Sequence, residues 1–392
     1  MNGMSPKKSH EVHRLSTCIR DFIRECSPFV IDVGAGQGYL ARELASPSIP
    51  SARPMHVLAL DSDMDQIDGA KRRGGCSPGK REGCAHPDTD GSPCKCGSIT
   101  YRNAFVSSDS LVQEIESWIA SFPCDTQPHV GRTQSDHART YPVIMTGLHA
   151  CGSLTPTVLR SFVSLSDPDS APPDSHSSGI QWKPSALALV GCCYNLMKES
   201  DFPMTCWDGF APLKLTRQHL QLACQCPYQW TLSDASWRGS RLSRKKVVYR
   251  ALLGRLLSQH AQAAPDVLLQ GKKLGRLNSS AYASWSTFLQ QTSSRLGLSD
   301  ILDPDYHLGL EPGHGFPEEF PRLAPRLACL HAMRSLLGPV IESVIIADRI
   351  VYLVDHLRPN WNIHAVNVFD LASGSARNVA LVVDQPIDDG QG

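Results

Sequence analysis

Neither sign of charge dominates this chain: Lys and Arg together number 38, and so do Asp and Glu. A balanced chain has no global field drawing it to nucleic acid, although a local basic patch could still do so. An apolar stretch is lacking in Met1-Asn-Gly-Met-Ser-Pro-Lys-Lys-Ser-His-Glu11 too, so secretion is not expected. The expectation is an intracellular protein, cytoplasmic or nuclear, whose 14 cysteines are reduced. Long apolar runs are scarce. The most apolar late segment, residues 340–357, is interrupted by Glu342, Asp348 and Arg349, and at about 18 residues it predicts a buried amphipathic helix rather than a membrane span. Paired Cys-x-x-Cys knuckles, the mark of strong zinc sites, are absent around Cys76, Cys84, His86, Cys94 and Cys96. That stretch predicts a surface insertion, and no metal is expected.

What the chain does have is 392 residues with 41% hydrophobic content, enough for one large domain with insertions or for two smaller ones. Its most informative segment is Phe29-Val-Ile-Asp-Val-Gly-Ala-Gly-Gln-Gly-Tyr-Leu40, an apolar strand running into a Gly-x-Gly-x-Gly turn and then a helix. Without Cβ atoms, Gly34, Gly36 and Gly38 let backbone N–H groups approach a ligand at a helix start. The spacing is tighter than the Gly-x-Gly-x-x-Gly of dinucleotide sites. With Asp32 ahead of the turn, it looks like motif I of S-adenosylmethionine-dependent methyltransferases. The next apolar run, from Met55, ends on Asp61, where a carboxylate can accept both ribose hydroxyls or cap the following helix.

Helical spacing of Val12, Leu15, Ile19, Phe22 and Ile23 predicts a helix over Ser9–Cys26. Further strands are expected near Ile99–Val106, Tyr141–His149 and Ala186–Tyr194, separated by helices and by loops at 71–98, 124–140 and 166–179. Five apolar strands alternating with helices predict a mostly parallel sheet covered on both faces. Helices follow at 247–260, 281–296 and 322–337, and the strands Trp361–Leu371 and Val379–Val383 should close the sheet as a hairpin. The expected organisation is an N-terminal helix (1–26), a cofactor-binding core (27–195), a helical insertion (196–340) and a final helix with strands (341–392).

In open sheets of this kind ligands bind at the carboxyl ends of the strands, so Gly147-Leu-His-Ala-Cys-Gly152 and Gly191-Cys-Cys-Tyr-Asn195 should face the cofactor. His149 could act as a general base, and Cys151, Cys192 or Cys193 as nucleophile, metal ligand or wall. His149, Tyr194 and Asn195 are the residues expected to border the methyl acceptor, and Asn103 is expected beside the adenine. One concentrated basic tract, Arg238, Arg241, Arg244, Lys245 and Lys246, flanked by Trp230 and Trp237, could hold phosphates and stack a base.

Together, Met4-Ser-Pro-Lys-Lys-Ser-His-Glu-Val12, Asp32-Val-Gly-Ala-Gly-Gln-Gly38, Gly147–Gly152, Val190-Gly-Cys-Cys-Tyr194, Leu222-Ala-Cys-Gln225 and the tail from Ile341-Glu-Ser through Asp348-Arg349 to Ala376-Arg-Asn378 resemble the methyltransferase-like protein 25 family. The resemblance covers nearly the whole chain. One branch of the family carries the label ribosomal RNA adenine dimethylase domain-containing protein. It implies an α/β, Rossmann-like class I methyltransferase fold, with a mostly parallel seven-stranded sheet and a helical insertion before the C-terminal hairpin. It further implies S-adenosylmethionine held by Asp32, Gly34, Gly36, Gly38, Asp61, Asn103 and His149; the acceptor stays open among an RNA base, a protein side chain and a small molecule, with RNA favoured by the basic tract and the family label. Larger members carry a helical region ahead of the first motif that has no counterpart here. Methylation of the adenine amine typically uses Asn-Pro-Pro-Tyr after the fourth strand, where this chain has Leu148-His-Ala-Cys151, so adenine is not assigned. The alternatives are a scaffold that keeps the fold without turnover, and a cysteine-dependent pyrimidine methyltransferase using Cys151 or Cys193.

Overall fold

A computed structural model describes residues 4–22, 29–46, 54–74, 97–122, 140–167, 181–206, 213–260, 274–298, 320–371 and 375–385. Cys76, Cys84, His86, Cys94 and Cys96 lie outside the described residues, and so does the bulk of the three expected loops. Helix α1, Pro6–Phe22, starts earlier than its apolar spacing suggested. Ser5 accepts the Lys8 N–H and Pro6 takes the first helical position, a cap and start that precede the first apolar residue. Val12, Leu15 and Ile19 are fully buried, as expected.

The core then alternates strand and helix: β1 (Phe29–Val33), α2 (Tyr39–Ala45), β2 (His56–Asp61), α3 (Met64–Arg73), β3 (Ser98–Asn103), α4 (Ser108–Ile119), β4 (Thr140–Cys151), α5 (Leu154–Ser166) and β5 (Gln181–Cys192). Two 3-10 turns follow at Tyr194–Leu196 and Glu199–Asp201, and then α6 (Arg217–Ala223), α7 (Asp234–His260), α8 (Trp285–Leu296), α9 (Phe320–Leu336), α10 (Gly338–His356), β6 (Asn362–Asn367) and β7 (Val379–Asp384). All five residues of β1 are buried, which is what a central strand of a sheet covered on both faces requires.

The strands form a seven-stranded sheet in the order β3-β2-β1-β4-β5-β7-β6. Strands β1 to β5 run parallel, and β7 runs antiparallel to β5 and β6. This is the Rossmann-like methyltransferase fold that the motifs implied, with the terminal hairpin completing one edge. The strand order reverses between β1 and β4, so a crevice opens at their carboxyl ends.

The chain divides into two compact units, Met1–Cys224 with Val340–Gly392, and Gln225–Pro339. The second has its own core around Tyr282, Trp285, Phe288 and Leu289. Residues 196–224, which the sequence grouped with the helical insertion, fall in the first unit, because Met197, Phe202, Leu215, Leu220 and Ala223 bury against Tyr194 and Ile345. Among the described residues no helix is long and apolar enough to cross a membrane.

Helix α10 buries two charged residues beside the apolar Ile345 and Leu353. Asp348 and Arg349 are inside, whereas Val340 and Val354 are exposed. Asp348 accepts the Met204 N–H at 2.8 Å, and the Thr205 N–H and hydroxyl at 3.3 and 2.8 Å. Removing a buried carboxylate with three donors leaves those donors unsatisfied. Asp348→Ala is therefore expected to cost about 3 kcal/mol or more, read as a lower urea midpoint with an unchanged slope.

Candidate functional site

Asp61 reaches from the end of β2 to the turn that follows β1. One carboxylate oxygen accepts the Gly36 N–H at 2.8 Å, and the other accepts the Asp63 N–H at 2.9 Å. The amides of Gly34 and Ala35 both donate to the Leu60 carbonyl, at 2.9 and 3.0 Å, and the Gly38 amide donates to Ala35 at 2.8 Å. The expectation that the glycine amides approach a ligand is thus corrected at Gly34, Gly36 and Gly38, whose donors are used inside the protein because the turn folds tightly over the end of β2. The glycines act instead through their missing side chains. Gly38 has φ +65, and a Cβ there would lie 2.6 Å from the Tyr101 ring. Of the two roles open to Asp61, capping of α3 falls to Asp63, which accepts the Asp65 N–H at 2.9 Å. A carboxylate has about four acceptor positions, so Asp61 retains capacity on both oxygens.

Beside this turn is a cavity of about 390 Å³ whose walls include Gly34, Asp61, Phe105, His149, Cys151 and Leu196. That size is within the roughly 300–1,000 Å³ of small-molecule sites. The structure therefore unites residues that the sequence placed on three different strands. It does not bring Asn103 to the lining: its side-chain amide donates to the Asp61 carbonyl at 3.0 Å, and the next residues, Ala104, Phe105 and Val106, form the wall. Phe105 is 81% exposed, and an aromatic just past a strand end carried no local signal to single it out.

Tyr194 and Asn195 are also not in the lining. Tyr194 is 2% exposed, donates its hydroxyl to Glu342 at 3.1 Å, and has the Arg349 and Arg377 guanidinium groups 5.4 and 5.7 Å from its ring centre. Burial first, and then the Glu342 charge, push its phenol up. Asn195 accepts a contact from the Cys224 thiol at 3.2 Å. Both depart from the acceptor position expected of them because the chain leaves β5 through Cys193 at φ +49 and tightens into a 3-10 turn.

His149 sits on a bulge. β4 and β5 pair at Leu148–Val190 and again at Ala150–Gly191, leaving His149 as the extra residue, at φ +67. Its Nε2 lies 3.0 Å from Glu11 on α1. Burial works to raise the Glu11 carboxyl, but the hydrogen bond and charge of His149, with Lys8 and Lys7, outweigh it and hold the group below the ordinary carboxylate value. Burial pulls the Lys8 ammonium down, while Glu11, Asp32, Cys192 and Cys151 favour its charge. Nothing in the helical pattern marks Lys8 and Glu11, because that pattern rests on apolar positions alone. The segment Lys7-Lys8-Ser9-His10-Glu11 nevertheless stood in the sequence as a motif.

Asp32 is 1% exposed, and neither of its carboxylate oxygens has a hydrogen-bond partner. Burial pushes its carboxyl up to about 7, opposed by the Lys8 charge and then by the Ala41 amide, which lies outside hydrogen-bond geometry. Three thiols meet nearby. Cys151 faces Cys192 across β4 and β5 with sulfurs 3.3 Å apart, Cys193 is 3.6 Å from Cys192, and all three sulfurs lie within 4.8 Å of one another. The hydrogen bond from Cys192 brings the Cys151 thiol down to about 6 against its burial, and the same contact drives the Cys192 thiol upward.

In the second unit, Arg241, Arg244 and Lys245 line a cleft of about 360 Å³ with Val248, Tyr249 and Ala328. Arg238 and Arg241 are exposed. Arg244 lies over the Trp237 ring at 5.4 Å, Lys245 donates to the Ala283 carbonyl at 2.7 Å, and Lys246 reaches Ser279 at 3.5 Å. Trp230 stacks on His331, with ring centres 6.3 Å apart.

Comparison with known proteins gives a methyltransferase-domain family model that matches residues 7–82. "Probable methyltransferase-like protein 25" of Mus musculus is 22% identical over 481 aligned positions, covering 94% of this chain and 73% of that protein. The protein of the same name from Homo sapiens is 23% identical over 240 positions, covering 58% of this chain and 34% of its own length. The matched domain spans α1, the glycine turn and Asp61.

The unpaired Asp32 carboxyl has a testable thermodynamic consequence. Its folded value near 7 is above the unfolded value of 3.8, so its contribution to stability is fully present below about pH 4 and is lost as pH rises through 7. Asp32→Asn should therefore match the native chain near pH 4 and exceed its stability at pH 8, by on the order of 4 kcal/mol, in thermal melts without added ligand.

Proposed function

We propose that this methyltransferase-domain protein, a relative of methyltransferase-like protein 25, takes its methyl group from S-adenosylmethionine and delivers it to RNA. The observation that supports the donor is the conjunction of a cavity at the β1–β4 switch, an Asp61 carboxylate with spare acceptor capacity on its wall, and the buried, unpaired Asp32 carboxylate. Asp61 would accept the ribose hydroxyls. Phe105, Val106 and Ala104 would flank the adenine, and Asp32, buried behind the lining rather than in it, would act on the ammonium of the methionine part through its charge. A cation beside Asp32 would favour its ionised form, so binding would relieve the cost that burial imposes.

S-adenosylmethionine supplies an electrophilic methyl group on a sulfonium. The chain's own contribution is positioning, an effect worth roughly 7–11 kcal/mol in favourable cases. His149 borders the cavity and is oriented by Glu11, so it is placed to take a proton from an acceptor amine or hydroxyl. Support for RNA comes from the second unit, where the exposed Arg241 lines a cleft with Arg244, Lys245 and Tyr249, and Arg238, also exposed, precedes it on α7.

Calorimetric titration with S-adenosylmethionine and S-adenosylhomocysteine tests the donor. Asp61→Asn should weaken both by about 1–3 kcal/mol while the fold stays intact by circular dichroism. Absence of binding by folded native chain would instead favour the scaffold. For the acceptor, Arg238→Glu with Arg241→Glu should lower RNA affinity about tenfold or more at low salt and flatten its salt dependence. Unchanged affinity would remove RNA from the reading.

A further inference from the structure

We propose that Cys151, Cys192 and Cys193 together bind one Zn2+ ion at the edge of the cavity, a site independent of the methyl-donor reading. The backbone brings these thiols together by two separate departures from regular strand geometry. Successive side chains of a strand point to opposite faces, so Cys192 and Cys193 would diverge if β5 continued. The left-handed conformation of Cys193, φ +49, turns its sulfur back to within 3.6 Å of Cys192. On the neighbouring strand the His149 bulge precedes Cys151 and leaves it in register with Cys192, with sulfurs 3.3 Å apart. Non-glycine residues in this conformation cost of order 1–3 kcal/mol, and such strain gathers at functional sites. Here both strained residues adjoin the same three thiols.

The spacing suits the ion. Tetrahedral zinc with Zn–S bonds of about 2.3 Å needs its sulfurs about 3.8 Å apart. The three sulfurs lie within 4.8 Å of one another, so side-chain torsions can reach that geometry without moving the strands. Three thiols with no carboxylate or imidazole among them make a soft donor set, which selects zinc-type cations over Mg2+ or Ca2+. Three thiolates around Zn2+ carry a net charge of −1, and Lys8, whose charge interacts with Cys151 and Cys192, offsets it. Three protein ligands leave a fourth position for water or a substrate atom. Cys151 is exposed and lines the cavity, whereas Cys192 is buried and Cys193 half-buried, so the donor set spans from core to cavity wall.

The test is metal content by inductively coupled plasma mass spectrometry. The full chain would be expressed with added zinc and purified with a thiol reductant and no chelator. The expected result is about one zinc per chain, lost in Cys151→Ser and in Cys193→Ser, and retained when Cys76, Cys84, Cys94 and Cys96 are all changed to Ser. Cys151 is exposed, so Cys151→Ser should melt cooperatively like the native chain. That keeps the test valid if Cys193→Ser fails to fold. Replacing zinc by Co2+ should give thiolate-to-cobalt charge-transfer bands that Cys151→Ser abolishes. Native chain without zinc, a Cys151–Cys192 disulfide in place of zinc, or zinc that persists in Cys151→Ser would each overturn the site.

Discussion

The bond from the Gly36 amide to the Asp61 carboxylate joins the ends of β1 and β2, and the shape of the cavity follows from it. With Asp61 drawn over the turn, the amides of Gly34 and Ala35 close on the Leu60 carbonyl, and the Gly38 N–H closes on Ala35. The turn is therefore a rigid wall rather than a set of free donors. Its glycines make room for neighbouring side chains, since a Cβ at Gly38 would strike Tyr101 and one at Gly34 would lie 2.9 Å from Leu154. Because β1 is flanked by β2 on one side and β4 on the other, the same turn fixes where the strand order reverses, and so where the crevice opens.

Buried polar residues at the turn after β5 and on β1 differ in how well they are satisfied. Around Tyr194, the Glu342 carboxylate takes the phenol and the Arg377 guanidinium, while Arg349 packs against the ring and reaches the Met197 sulfur at 3.5 Å. Every one of those side chains has a protein partner, which is the pattern of a structural network tying α10 to the turn after β5. Asp32 has the opposite character, a fully buried carboxyl with both oxygens unpaired. The contrast marks the Tyr194 network as architecture, whereas no protein donor completes the Asp32 oxygens and the Lys8 charge chiefly opposes the cost of burying them.

Local patterns in the sequence carried the fold. β1, its glycine turn and Asp61 were legible because strand, turn and helix start follow one another within a few residues, and the terminal hairpin was legible for the same reason. What depends on distant packing was not. Glu11 meets His149 across 138 positions, and Tyr194 meets Glu342 across 148. No spacing rule reaches that far. Tyr194 and Asn195 are expected at the acceptor because they stand at the carboxyl end of β5. Only the left-handed Cys193 turns them inward, and a non-glycine residue gives no warning of positive φ. The charges in α10 pointed to a buried amphipathic helix, but no local pattern shows that Asp348 and Arg349 lie on its buried side beside Ile345 and Leu353.

The bulge at His149 links these observations into one structural cause. A bulge adds a residue to one strand without advancing its partner, and so determines which face every later side chain takes. With it, Ala150 and Cys151 fall in step with Gly191 and Cys192, and the imidazole is left as the extra side chain, within hydrogen-bond reach of Glu11 on α1. One irregular residue thereby places a histidine on the cavity wall, holds it with a buried carboxylate, and sets two thiols side by side. A regular strand would be easier to form, because it avoids the cost of positive φ. It would also shift the alternation by one and turn Cys151 away from Cys192, so the bulge is the feature on which the chemistry of this strand end depends.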